Sequence, residues 1–60
     1  MSVGDLVAYP GTVWYASGIG IVIYRDEKRN VLHVASADPK LRGMPVKTFE
    51  SSLEVLSENR

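Results

Sequence analysis

The sequence predicts an all-β domain. Its apolar residues fall in short runs, the runs alternate with polar turn segments, and within the runs hydrophobic side chains recur with a period near two. That spacing suits a meander of short strands, five in all, rather than packed helices. The chain has 60 residues, so residues 1–60 make a single domain. At that length only roughly 60% of the unfolded surface is buried on folding, and the core is correspondingly small.

The first strand is read over Asp5 to Tyr9 (D-L-V-A-Y) and stops at the turn dipeptide Pro10-Gly11. The second, Gly18 to Tyr24 (G-I-G-I-V-I-Y), puts Ile19, Ile21 and Ile23 on one face and Gly20, Val22 and Tyr24 on the other. Both faces are apolar, which predicts a central strand covered on both sides. The polar run Arg25 to Asn30 makes a hairpin loop. Val31 to Ser36 pairs back, with Leu32 and Val34 inward and His33 outward.

Ala37 to Gly43 is a loop, with a turn begun at Asp38-Pro39 and a positive φ permitted at Gly43. Met44 to Phe49 is the fourth strand, with Met44, Val46 and Thr48 on one side. Pro45 has no N–H to donate, so it stands at the start of that strand or the strand lies at an edge. Glu50-Ser51-Ser52 suits one 3₁₀ turn before the last strand, Leu53 to Leu56, in which Leu53 and Val55 oppose Glu54. A short helix over Thr48 to Leu56 is the competing reading, carried by Leu53 and Leu56 at helical spacing. Residues 57–60 are expected to fray.

This order of parts resembles a Src-homology-3-like small barrel, a likeness that covers Val3 to Leu56. It is carried by Gly4-Asp5-Leu6-Val7, by Gly18-Ile19-Gly20-Ile21-Val22 and by Leu53-Glu54-Val55-Leu56. The same three segments resemble small barrel proteins of bacteriophages. A further likeness, to the RNA-polymerase-binding domain of the CarD family, rests on Gly4, Asp5, Val7, Tyr9 and Pro10, then Gly18, Gly20 and Ile21. This chain departs from that family by the added T-V-W-Y-A-S after Gly11. The resemblances imply a five-stranded barrel that works by binding. The phage likeness implies an accessory, adaptor or decoration subunit on a virion component or host protein, or a small inhibitor of a host enzyme. The CarD, Tudor and KOW type of barrel implies a nucleic-acid or transcription-accessory module.

The residues themselves speak against catalysis. Gly18-x-Gly20 is followed by a strand, whereas a phosphate cradle needs a helix N-terminus there, so the glycines read as accommodating curvature. His33 has no orienting carboxylate or nucleophile nearby in sequence, and Ser36, Ser51 and Ser52 read as turn residues. Asp26 and Glu27 are adjacent, so in an extended hairpin they point apart and cannot share a proton. With no cysteine and one histidine, neither a disulfide nor a zinc site is expected, and no cofactor is expected.

The segment most suited to binding is Pro10 to Ser17, which carries Val13, Trp14 and Tyr15 in a solvent-facing loop. Trp14 either plugs a core too small to close itself or contacts a partner. A combined arrangement has Trp14 inward with Val13 and Tyr15 outward. The formal charge is zero, but its layout is uneven. Arg25 to Lys47 holds six basic residues against three acidic ones, and the rest of the chain is net negative. Arg25, Lys28, Arg29, Lys40 and Arg42 are thus a candidate patch for nucleic acid or an acidic partner, although stacking aromatics beside the cations are not evident in the sequence. The dipolar layout also suits contact between copies of the chain. A larger protein is the favoured partner, met through the long first loop and an exposed edge strand. No apolar run reaches the ~18 residues of a membrane span, and no basic start with a long apolar stretch marks a signal peptide. The expected location is the host cytoplasm or a virion.

Overall fold

A computed structural model describes residues 1–59. Five antiparallel strands form one sheet: β1 Leu6–Tyr9, β2 Gly18–Asp26, β3 Val31–Ser36, β4 Val46–Phe49 and β5 Glu54–Ser57. Their order across the sheet is β4-β3-β2-β1-β5, so β2 is central as its apolar run predicts. The expected 3₁₀ turn lies at Glu50–Ser52, and the helix over Thr48 to Leu56 does not form. A second 3₁₀ turn, Pro39–Leu41, sits inside the stretch read as loop.

β4 and β5 are opposite edges, yet only Glu50–Leu53 connects them. In a flat sheet the outermost of five strands would lie about 19 Å apart. A 3₁₀ turn rises only ~2 Å per residue, so the link falls short of that span and the sheet must curl. No hydrogen-bonded ladder joins β4 to β5 among the described residues.

The inner face carries the core. Val7, Tyr9, Val22, Leu32, Val34, Val46 and Leu53 are buried together, and Met1, Tyr15 and Leu41 pack against them. Leu32 and Val34 point inward as their alternation predicts, but Met44, expected beside Val46, is exposed. The outer face differs more from expectation. Ile19, Ile21 and Ile23 are each about half-exposed, because the described residues form no helix or second sheet that covers the other side of β2.

Tyr24 also departs from simple alternation. The β2–β3 register runs Val22↔Val34 and then Tyr24↔His33, which leaves Ile23 as a bulge. The extra residue reverses the side-chain phase, so Tyr24 joins His33 on the outer face, ring centroids 4.9 Å apart. Arg25 correspondingly turns to the inner side, where it donates to the Met1 carbonyl and pairs with Glu50 at 3.7 Å. Gly20 makes the inner packing possible. A Cβ there would stand 2.3 Å from the Ala35 carbonyl oxygen and 2.7 Å from Val34 Cγ1.

Asp5 is the one buried charged residue among those described, and it ties both ends of the chain to the sheet. Its carboxylate accepts the Ser2 N–H at 2.9 Å and the Asn59 N–H at 2.8 Å. The Val22 N–H donates to its carbonyl. The segment expected to fray is therefore held as far as Asn59, with Ser57 inside β5; Arg60 lies outside the described residues.

Candidate functional site

The first loop folds back on itself before it reaches β2. The Thr12 N–H donates to the Tyr15 carbonyl at 2.7 Å, and the Trp14 N–H donates to Thr12 Oγ1 at 3.1 Å. This pinch sends successive side chains to different environments. Tyr15 turns inward and meets the Tyr9 ring edge-on, centroids 5.7 Å apart. Trp14, at 87% exposure, and Val13, at 93%, project into solvent. Trp14 is therefore not a core plug, and the arrangement with Trp14 inward and Tyr15 outward is reversed. The reason is geometric: Tyr15 lies at the neck of the pinch, next to the core, and Trp14 lies at its tip.

Facing this loop is the connection from β3 to β4. Asp38 caps the turn Pro39–Leu41 by accepting the Lys40 N–H at 2.9 Å. Leu41 packs against the core. Arg42 takes a left-handed conformation (φ 52°) and donates its N–H to the Pro39 carbonyl, and Gly43 follows at φ 79°. The chain then turns into Met44, Pro45 and β4.

A groove of about 460 Å³ opens between these two segments. This is the size class of sites for small molecules and peptide side chains. Trp14, Tyr15, Leu41, Met44, Pro45 and Val46 supply its apolar surface; Lys40, Arg42 and Lys47 supply its charge, all positive. Trp14 thus stands in the same groove as three cations, an adjacency the sequence does not display. Leu41, Met44 and Lys47 were not singled out as binding residues. The available signal was Pro45, which marks β4 as an edge and hence as the open side of the fold.

The candidate basic patch does not hold together as one surface. Arg25, Lys28 and Arg29 lie around the β2–β3 turn, and Lys40 and Arg42 lie beyond the other end of β3. The six residues of β3 separate the two groups by about 20 Å. Arg25 is engaged with Glu50, and Arg29 pairs with Asp26 at 3.9 Å. Lys40 and Arg42, joined by Lys47, share a groove with Trp14 and Tyr15, whereas Arg25, Lys28 and Arg29 lie beside Tyr24 in a separate depression that Asp26 and Glu27 also line.

Three of the remaining polar candidates, Ser36, His33 and Asp26, have structural partners. Ser36 Oγ shares a hydrogen bond with the Tyr9 hydroxyl and accepts the Asp38 N–H. His33 lies against Tyr24 and opposite Lys47 in the β3–β4 register. Asp26 accepts the Arg29 N–H across the turn. Among the described residues, no three His, Asp or Glu side chains gather as a metal site would require, and no helix is long and apolar enough to cross a membrane.

No protein-family model, curated protein or solved structure matches the chain.

Proposed function

We propose that this domain is a non-catalytic protein-binding module that docks on a larger protein through its first loop and its β4 edge. One observation carries the reading: the exposed Trp14 and the start of the free edge strand line the same groove. The loop backbone is pinned by its own hydrogen bonds and by Tyr15, so the ordering left to binding is that of the exposed Trp14 side chain. A large aromatic carried on a pinned loop beside an apolar depression suits a binding hot spot. The likeness of the strand pattern to small phage barrels supports an accessory or decoration role, with a virion component or host protein as partner.

The test is capture by immobilised wild-type chain and by a Trp14→Ala variant whose fold is verified by circular dichroism. A protein retained by the wild type and released by the variant supports the module. Equal recovery of every captured protein on both would remove the groove as the contact.

A second reading, binding of nucleic acid, is favoured by the placing of Trp14 beside Lys40, Arg42 and Lys47. Its signature is an affinity that falls steeply with salt, with a logarithmic slope of about 0.9 per phosphate contact. No binding of single- or double-stranded DNA or RNA at low salt would end it.

A further inference from the structure

The residues of β4 that line the groove include Val46 and Lys47, which are adjacent in the strand. Adjacent strand residues point to opposite faces of a sheet. Val46 is buried on the inner face, and Lys47 is exposed on the outer. A depression that touches both cannot lie over either face. It opens at the edge of the strand beside its first two residues, and beyond them that edge continues through Thr48 and Phe49, where alternate backbone N–H and C=O groups of β4 have no strand beside them. An occupant that extends from this groove along β4 therefore meets backbone donors and acceptors as well as side chains.

The charge of the groove restricts that occupant. Lys40, Arg42 and Lys47 line it, and no Asp or Glu does. The carboxylate nearest in sequence, Asp38, is committed to the Lys40 N–H. Lys47 lies within the edge strand itself, so a carboxylate on an added strand would sit in cross-strand position to it, the arrangement that favours opposite charges. Lys47 and Pro45 are also the residue types that deter indiscriminate pairing at an edge. Of the two, Lys47 discriminates by charge, and it disfavours a basic strand relative to an acidic one.

We propose that the groove takes an extended acidic segment of a partner protein, which adds to β4 as a sixth strand, sets its carboxylates against Lys40, Arg42 and Lys47, and lays an apolar side chain against Trp14. This rests on the protein-binding reading above and specifies its ligand. Alternation on the added strand follows from the geometry: carboxylates on the Lys47 side, apolar side chains on the Val46 side. Pro45 offers no N–H, so the ladder forms along Val46 to Phe49. A peptide fits these features better than a nucleic acid. Single-stranded nucleic acid calls for successive stacking platforms along a basic track. Here one aromatic is free, because Tyr15 is already committed to Tyr9. The chain as a whole carries no net charge.

The experiment titrates the folded domain, followed by amide chemical shifts, with a strand-length peptide that alternates glutamate with valine and leucine. The comparison probes are the same peptide with lysine in place of glutamate, the acidic peptide with alternate amides N-methylated, and oligo-dT. The expected result is binding of the acidic peptide with shifts along Val46 to Phe49 and at Trp14. The lysine peptide binds about tenfold more weakly or not at all. A Lys40→Glu/Arg42→Glu/Lys47→Glu variant reverses that preference, and N-methylation of the ladder amides abolishes binding.

Equal binding of the acidic and lysine peptides, or insensitivity to N-methylation, overturns the proposed ligand. So does an absence of peptide binding while lysate partners still depend on Trp14, and in that case the module reading survives. Preference for oligo-dT over every peptide overturns both.

Discussion

Tyr15 stands edge-on to Tyr9, with 5.7 Å between ring centroids and 75° between ring planes. Tyr9 is a core residue whose hydroxyl is hydrogen-bonded to Ser36, so the contact anchors the first loop to the core of the sheet. One residue earlier in the chain, Trp14 is free. Anchor and probe are neighbours, and the pinch between Thr12 and Tyr15 gives them opposite directions.

Tyr15→Ala removes that anchor, while Tyr15→Phe keeps the ring. The alanine variant should lose about 1–3 kcal/mol in urea unfolding, since it forfeits both burial and an aromatic pair. The phenylalanine variant should stay near the wild type. Trp14→Ala, by contrast, should change stability by about 0.5 kcal/mol or less, because the side chain is almost fully solvated. A large loss in Trp14→Ala would show that the indole is packed in solution.

Gly20→Ala tests the close approach of β2 and β3. The added methyl would meet a backbone oxygen, which cannot rotate away as a side chain can. A loss of about 1–3 kcal/mol is expected, measured by the midpoint of denaturant unfolding.

The one-sided sheet makes a paired prediction. Val22→Ala and Leu32→Ala open cavities at fully buried positions and should cost about 2–4 kcal/mol. Ile19→Thr and Ile21→Thr alter half-exposed positions, keep β-branching, and should each cost about 1 kcal/mol or less. Similar losses in both sets, read from thermal unfolding, would mean that the isoleucine face is covered.

Asp5 sets an acid limit on stability. The Asn59 N–H, and after it the Ser2 N–H, hold its carboxyl below the ordinary value of 3.8, with the N-terminal ammonium adding to them and burial opposing. A carboxyl that is more acidic folded than unfolded stabilises fully above the unfolded value, and that contribution is lost as pH falls through the folded one. The melting temperature should therefore drop below about pH 4. Asp5→Asn turns an amide N–H towards one of the two donors, so its melting temperature at neutral pH should be several degrees lower and its acid limb shallower. Calorimetry across the acid range checks both. An unchanged acid limb in the variant would assign the transition to other carboxylates.

Much of this architecture can be read along the chain. Val31-Leu32-His33-Val34 alternates inside its own strand, Glu50-Ser51-Ser52 is a local turn, and Gly43 needs only its own φ; each is settled within a few residues. The faces of β2 are not. Ile19, Ile21 and Ile23 look like core because periodicity reports two sides of a strand but not how many layers exist to cover them. The phase of Tyr24 depends on a bulge at Ile23, which is defined only by the register against β3. The basic residues look like one patch because sequence distance ignores that β3 carries its two ends apart.

Short-range alternation and backbone preference are enough to set the strands, the central place of β2 and the loop that bears Trp14. Packing in three dimensions sets which face is covered, which aromatic turns outward, and that Trp14, Lys40, Arg42 and Lys47 meet beside a free edge. The direction of the aromatics is set by the Thr12–Tyr15 pinch and the Tyr9 ring, and the meeting of Trp14 with the three cations joins segments more than twenty residues apart through the curl of the sheet and the register of β3 with β4, which no local pattern records.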